Sequence, residues 1–292
     1  MKYILIAAIL SFAILSISVA EFAYKYRYSS VDFIKHASRK IDYLTVDFRE
    51  CNKLPVLQSI KPGAILIVGH PYEKGIGPDY LFDQRIRRLI EENSDNIKSV
   101  IFTGDVLYKP TQELWDRFKR FFSDMGVDYE IAPGNHDVHS ADHPRRTLFS
   151  KNFANPYLKK INSENHILFI EDSTRYNWLI DEELISAVNE AGNDKPIFIL
   201  RHNVPAIELK RFANSTTLLG EDLPSMKELA NNLSGQVSII SGDGGAFSFL
   251  PRIACAKKDN VSFIVNGMGR NKDDKILILS GGALGYYALN DK

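Results

Sequence analysis

The sequence GNHD at residues 134–137 groups three side chains that can bind a metal ion or move a proton. Asn135 offers an amide oxygen, His136 a titratable imidazole, and Asp137 a carboxylate able to orient that imidazole. Glycine, asparagine and aspartate also build ordinary turns, so these residues alone do not establish a site. The order of apolar segments on both sides of them favours the site over the turn.

Four more polar residues follow predicted buried strands at residues 64–68, 99–103, 196–200 and 237–240. In chain order they are His70, Asp105, His202 and Asp243. Because the loops after parallel strands collect at one edge of a sheet, we expect these side chains to lie near Asn135 and His136. Carboxylate, amide and imidazole donors suit a divalent cation of the manganese, iron or zinc type. Such a cation would generate hydroxide near neutral pH and neutralise charge on phosphate oxygens.

The elements that must position these residues alternate along the chain. Helical spacing of apolar residues predicts helices at residues 80–93, 111–125, 181–191 and 226–232, between the strands above and two more at 129–132 and 167–170. This alternation predicts right-handed crossovers and a mainly parallel sheet. Residues 261–265 and 276–279 are predicted to be closing antiparallel strands. A chain of 292 residues can form one large domain.

The order of these motifs resembles that of the calcineurin-like metallophosphoesterases, over roughly residues 61–289. The motifs are GD at 104–105, then GNHD, then a histidine at a strand end, then a glycine-flanked polar residue. The resemblance implies an α/β fold, a four-layer α/β/β/α sandwich with two facing sheets flanked by helices. It also implies hydrolysis of a phosphoric ester with one or two divalent ions.

The resemblance assigns roles to individual residues. Asp105 would be a bridging carboxylate, with Asn135 and His202 as ligands of the second metal. His136 would stabilise or protonate the leaving oxygen, and Asp137 would orient His136, as carboxylates commonly do for a neighbouring imidazole.

Two motifs depart from the family pattern. The family's DxH motif corresponds to His70 and Tyr72, and its GHxH motif to Asp243 and Gly245. The first metal therefore loses its usual histidines, whereas Asp243 can replace a histidine at the second. We expect one metal to bind better than two, with His70 as an additional ligand.

The function predicted from these features is a metal-dependent phosphoesterase acting on a phosphomonoester or phosphodiester. The altered motifs keep a second hypothesis open, a catalytically impaired relative that acts in binding or assembly at the membrane. A serine hydrolase is disfavoured because Val106, and no serine, follows GD. Tyr108 forms a GDxxY pattern that is also found in purple acid phosphatases, although a packed aromatic is the more common role.

The N-terminus predicts export. Residues 3–20 form an apolar run without a charge, intermediate in length between a signal peptide and a spanning helix. We therefore predict a signal anchor or signal peptide at residues 1–20, a stalk or N-terminal helix at 21–60, and the phosphoesterase-like domain at 61–292. Cys51 and Cys255 could form a disulfide outside the cytoplasm or be ordinary core residues.

The predicted partners follow from location and charge. The N-terminal segment predicts contact with a membrane, and the domain would act outside the cytoplasm on a phosphate-ester small molecule or a cell-envelope substrate. Lys plus Arg equals Asp plus Glu at 36 each, so there is no basic field to attract nucleic acid. Four cationic side chains could contact a substrate phosphate, although each is more often a solvated charge: Lys74, Arg145, Arg146 and Arg201.

Overall fold

The protein has a mixed α/β fold with two sheets. The computed structural model describes residues 49–51, 53–73, 81–139, 143–153, 157–175, 180, 182–203, 231–246, 252–269 and 272–289. The strands are β1 (Arg49–Glu50), β2 (Ala64–Val68), β3 (Ile97–Phe102), β4 (Asp128–Ile131), β5 (Leu158–Asn162), β6 (Ile167–Glu171), β7 (Ile197–Arg201), β8 (Val237–Ser241), β9 (Ile253–Lys258), β10 (Val261–Asn266), β11 (Lys275–Ser280) and β12 (Ala283–Ala288). The helices are α1 (Gln84–Asn93), α2 (Gln112–Met125), α3 (Asn135–Val138), α4 (Pro144–Asn152) and α5 (Glu182–Glu190), with a 3₁₀ turn at Asp243–Ala246.

Each sheet has a parallel part, and antiparallel strands lie at both edges of the larger sheet and at one edge of the smaller. The five-stranded sheet has the order β12-β11-β2-β3-β4, with β2, β3 and β4 parallel. The seven-stranded sheet has the order β1-β9-β10-β8-β7-β6-β5, with β6, β7, β8 and β10 parallel. Alternation alone predicted one mainly parallel sheet, which is wrong, whereas the two sheets implied by the resemblance are present.

One strand prediction needs correction, and other strands were missed. Strand β10 was expected to be a closing antiparallel strand, but it is antiparallel only to β9 and parallel to β8. Strands β5 and β9 were not predicted at all. Strand β5 is an edge strand that carries Lys159 and Lys160, so it lacks the apolar alternation of a half-buried strand.

Three separate apolar clusters hold the elements together. One packs α1 and α2 on the five-stranded sheet, one fills the space between the two sheets, and one packs α5 on the seven-stranded sheet. Representative residues are Ile86, Phe102 and Phe118 of the first, Ile67, Ile101 and Leu200 of the second, and Leu184, Ile199 and Phe263 of the third. Burying each such side chain stabilises the fold by about 1.5–3 kcal/mol.

Capping side chains set the ends of the helices. The side chain of Asp83 accepts from the backbone N–H of Arg85, so α1 begins later than the predicted residue 80. Thr111 caps α2 in the same way, and Gly126 ends it in the left-handed conformation at φ 64°. Helix α4 was not predicted, because Phe149 is its one fully buried residue and no apolar stripe marks it.

The folded region begins before the predicted boundary at residue 61. Strand β1 pairs with β9, and Cys51 forms a disulfide with Cys255 across a Cα–Cα distance of 5.1 Å. The predicted N-terminal helix, most of the predicted stalk and most of the predicted helix at 226–232 lie outside the described residues. Within the described residues, no helix combines the length and apolar character needed to span a bilayer.

Candidate metal centre

The predicted site lies where the two sheets meet. His70, Asp105, Asn135 and His136 follow strands of the five-stranded sheet, whereas His202 and Asp243 follow strands of the seven-stranded sheet. The sheets are joined there by a hydrogen bond of 3.0 Å between His202 Nδ1 and the carbonyl of Thr103. The site therefore spans two sheets, and the expectation of a single sheet edge is wrong.

Three oxygen atoms converge around the Nε2 atom of His202. This nitrogen lies 3.5 Å from Asp105 Oδ1, 3.6 Å from Asp243 Oδ1 and 3.2 Å from Asn135 Oδ1. Ligand atoms of Asp105, His202 and Asp243 all lie within 4.8 Å of one another, and these three residues are buried. We call these four residues the Oδ1 side of the centre.

The tautomer of His202 makes this convergence meaningful. A carbonyl can only accept, so His202 Nδ1 must donate its proton to Thr103. In the neutral imidazole, Nε2 then carries a lone pair directed at three oxygens that also carry lone pairs. A backbone carbonyl that holds the outer nitrogen of a histidine is the usual arrangement around metal-binding histidines. The residues therefore fit a divalent cation.

Among the described residues, the other oxygen of Asp105 faces fewer donors. The Nε2 atom of His70 lies 3.6 Å from Asp105 Oδ2, and His70 Nδ1 is 3.0 Å from the carbonyl of Met268. The ring of Tyr72 lies 4.5 Å from the ring of His70, centre to centre. We call His70 and Tyr72 the Oδ2 side of the centre. Its histidine has the same tautomer as His202, but a phenol ring is its neighbour.

Charged neighbours keep Asp105 ionised, and burial keeps His70 neutral. Burial alone would raise the pKa of Asp105, but the imidazoles of His202, His136 and His70 lower it to about 2. Burial lowers the pKa of His70, against the opposing effect of Asp105 and Asp243. An ionised carboxylate and a neutral imidazole are the protonation states that a metal ion requires.

The backbone at the centre is tightly packed. His70 and Asp105 have positive φ values of 53° and 56°, a conformation that costs non-glycine residues about 1–3 kcal/mol. A Cβ atom on Gly104 would lie 2.3 Å from His202 Nδ1, and one on Gly134 would lie 2.2 Å from Asp105 Oδ1. Glycine is therefore required at these two positions so that the ligand side chains can approach the loops.

Asp137 holds a loop and not an imidazole. Its two oxygens accept four backbone N–H groups at 2.8–3.2 Å, those of Asp105, Val106, Leu107 and Gly134. In the described part of the chain, no hydrogen bond joins its carboxylate to His136. Burial and the nearby Asp105 carboxylate raise the pKa of Asp137, while the N–H groups of Gly134 and Leu107 oppose the rise. The predicted orienting role is therefore replaced by a structural one.

His136 is fixed beside Asp105 by backbone groups. Its own N–H donates to Asp105 Oδ1 at 2.9 Å, and its Nδ1 lies 3.1 Å from the carbonyl of Tyr108. Its ring stacks on that of Tyr108 at 5.2 Å and tilts against Tyr72 at 4.7 Å. Tyr108 is thus a packed aromatic whose carbonyl, and not only its ring, positions His136.

Two of the cations proposed as phosphate contacts are committed elsewhere. Arg201 is fully buried with Glu171 at 3.2 Å, and Arg146 binds Asp172 at 2.8 Å. Arg145 instead donates to the carbonyl of His136 at 3.1 Å. Lys74 lies outside the described residues.

Sequence reasoning predicted residues that the structure brings together, but it missed what orients them. The carbonyls of Thr103, Tyr108 and Met268 hold the three imidazoles, and a backbone carbonyl leaves no signal in residue type. The contact of Tyr72 with both His70 and His136 was also missed. The departure from the family's DxH motif was the signal that pointed to Tyr72.

Comparison with solved structures finds distant similarities. One similar structure is the 5'-nucleotidase precursor from Thermus thermophilus, with 13% identity and a TM-score of 0.41 over 77% of this chain and 54% of that chain. This chain thus spans about half the length of that protein. Another is a conserved uncharacterized protein, a predicted phosphoesterase, from Streptococcus pneumoniae, with 7% identity and a TM-score of 0.31 over 79% of this chain and 99% of that chain.

Sequence comparison gives a clearer result. No curated protein matches the chain at a significant level. The family model for calcineurin-like phosphoesterases matches residues 65–267, which contain every residue of the centre described above. Because this match covers more than half of the chain, the protein belongs to the calcineurin-like phosphoesterase family.

Proposed function

We propose that the protein is a metal-dependent phosphoesterase that acts outside the cytoplasm on a phosphomonoester or a phosphodiester. The observation that carries the proposal is the convergence of Asp105, Asn135 and Asp243 on the lone pair of His202. Membership of the family supports phosphoester hydrolysis in general. The unequal donor sets on the two oxygens of Asp105 favour one strongly bound cation, on the Oδ1 side.

The residues of the centre divide the chemical work. A divalent cation held by the Oδ1 side would act as a Lewis acid on phosphate oxygens and make a bound water more acidic. In the imidazolium form of His136, the Nδ1–H donates to the carbonyl of Tyr108, so the proton on Nε2 is the one that can pass to the leaving oxygen, which leaves a neutral imidazole. The hydrogen bond from the backbone N–H of His136 to Asp105 Oδ1 fixes the position of His136 relative to the Asp105 carboxylate.

Two further parts of the proposal concern architecture and location. The three apolar clusters support a four-layer α/β/β/α sandwich, and the apolar run at residues 3–20 supports a membrane anchor or signal peptide. The disulfide between Cys51 and Cys255 supports export, because disulfides persist in oxidising compartments.

One observation favours a second candidate function. Tyr72 stands where the family carries a metal-binding histidine, and its ring contacts both His70 and His136. If the Oδ2 side needs its own ion for turnover, the protein would bind phosphate esters without hydrolysing them and would act in binding or assembly at the membrane.

The test combines metal analysis with hydrolysis. The purified protein would be assayed on p-nitrophenyl phosphate and on bis(p-nitrophenyl) phosphate, with and without added Mn²⁺, and its metal content measured. His136→Ala should lower kcat by about 100-fold or more while metal remains bound, since a general acid contributes about 10²–10⁴-fold.

The matched control is His166→Gln, which changes another buried histidine, one that lies at the start of β6 in a different part of the fold. This control should keep both turnover and metal. Full turnover in His136→Ala, or equal loss in the control, would remove His136 from the mechanism. Bound metal without hydrolysis of either ester would favour the binding function.

A further inference from the structure

We infer that Arg145 binds an anionic group on the leaving part of the substrate, so that the preferred ester releases a product that carries a further phosphate. This inference rests on the proposed function, because it uses the role of His136 at the leaving oxygen. The role of His136 does not specify the chemical class of the leaving group, and this inference does.

Arg145 is tethered to the residue that serves the leaving group. Its Nη1 atom donates to the carbonyl of His136 at 3.1 Å, while its backbone N–H donates to His143 Nδ1 at 3.2 Å. The guanidinium therefore stays beside His136 and does not sweep freely through solvent. Because this carbonyl and the His136 imidazole belong to one residue, the inference places the part of the substrate beside the imidazole within reach of this cation.

Among the described residues, the charge of Arg145 is not paired with a carboxylate, unlike that of its neighbour Arg146. Arg146 makes an ion pair with Asp172 at 2.8 Å and a hydrogen bond to Thr174 at 2.6 Å, which fastens α4 to the end of β6. In the described part of the chain, Arg145 makes no ion pair with a carboxylate. A guanidinium has five N–H donors, and a single bond to a carbonyl leaves most of them for a ligand.

The surroundings of His136 carry further positive charge. Lys109 is exposed, and its Nζ lies 5.6 Å from the ring centre of Tyr108, which stacks on His136. Arg145 is half-buried, so its field is less screened than that of a fully exposed cation. A planar guanidinium matches phosphate oxygens in a bidentate, charge-assisted pair.

The test compares two esters that differ only in the charge of the leaving group. Phenyl phosphate releases uncharged phenol, and 1,4-phenylene bisphosphate releases a phenol that carries a second phosphate. Arg145→Gln should lower kcat/KM for the bisphosphate by about 10- to 100-fold, as expected for a lost charge-assisted hydrogen bond, and change that for phenyl phosphate by less than about threefold. Arg145→Lys should fall between parent and Arg145→Gln, since it keeps the charge and loses the fork.

The control is Lys151→Gln, which removes an exposed cation from the same helix and should leave both rates unchanged. Thermal melts of each variant show whether the fold is kept. Equal loss on both esters in Arg145→Gln, or no loss on either, would overturn the inference while leaving the proposed function intact.

Binding gives a readout that does not depend on turnover. Calorimetry on the Mn²⁺-loaded protein should show that Arg145→Gln weakens binding of pyrophosphate by about 10-fold or more and that of orthophosphate little. If the parent protein hydrolyses neither ester but Arg145→Gln still weakens the binding of pyrophosphate selectively, the proposed hydrolysis fails and the recognition of the anion by Arg145 stands. Equal affinities of parent and variant for pyrophosphate would contradict it.

Discussion

The two oxygens of Asp105 lie in different surroundings. On the Oδ1 side, an amide, an imidazole and a carboxylate from both sheets surround one point, whereas on the Oδ2 side one imidazole stands beside an aromatic ring. Both sides have a histidine whose Nδ1 is held by a carbonyl, so orientation is not what distinguishes them. The number of donors distinguishes the two sides. This difference predicts one strong cation site in a family whose motif pattern has two.

The largest expected effect comes from removing the residue that both sides share. Asp105→Asn should lower metal affinity and kcat/KM by more than about 100-fold, because losing even the hydrogen-bond partner of a metal ligand typically costs about 10- to 100-fold. Asp124→Asn, an exposed carboxylate on α2, is the control and should behave as the parent. Retained Mn²⁺ in Asp105→Asn, measured by elemental analysis, would contradict the assignment.

A paired substitution measures the asymmetry itself. His202→Ala should weaken Mn²⁺ binding by about 100-fold, since it removes the central ligand of the Oδ1 side, whereas His70→Ala should weaken it by less than about 10-fold. Calorimetric titration with Mn²⁺ provides both values. Losses of similar size in the two variants would mean that the sides are equivalent and the comparison is wrong.

Asp137→Asn should destabilise the loop that carries Asp105, the residue shared by the Oδ1 and Oδ2 sides. Asp137→Asn places an amide where four backbone N–H groups now meet a carboxylate, and the amide nitrogen cannot accept from them. We expect a loss of at least about 1–3 kcal/mol in the free energy of unfolding, the cost of buried donors left unsatisfied. Urea denaturation measures it, and a variant as stable as the parent would show that the loop does not depend on Asp137.

The smallest expected effect is a gain. Tyr72→His would place an imidazole beside His70 and should raise the Mn²⁺ stoichiometry above about one ion per chain, because imidazole is a good ligand and a neutral phenol is a poor one. Tyr72→Phe is the control and should leave the stoichiometry unchanged. An unchanged stoichiometry in Tyr72→His would show that the Oδ2 side lacks more than this one donor.

Much of the candidate site could be predicted from sequence because most of its predicted ligands follow buried strands. The apolar runs before Asp105, His202 and Asp243 fix where those strands end. Parallel pairing brings strand ends together within each sheet, and the hydrogen bond between His202 and Thr103 joins the two sheets there. The division into two sheets could not be derived from local periodicity, since a strand such as β10 has the same apolar pattern whichever sheet it joins. The resemblance supplied that information.

The role of Asp137 shows the limit of residue-type reasoning. A carboxylate next to a histidine suggests a pair, but adjacent residues on a short helix point in different directions. Its four partners are backbone groups, of which three lie in the distant loop after β3. Similarly, nothing in the sequence distinguishes Arg145 from Arg146, whose roles differ because of what α4 packs against.

The most direct test is a crystal of the protein grown with Mn²⁺ and measured at a wavelength where manganese scatters anomalously. We predict one strong anomalous peak within bonding distance of His202 Nε2 and of the Oδ1 atoms of Asp105, Asn135 and Asp243. Two peaks of equal height on either side of Asp105, or a peak away from His202, would contradict the central claim.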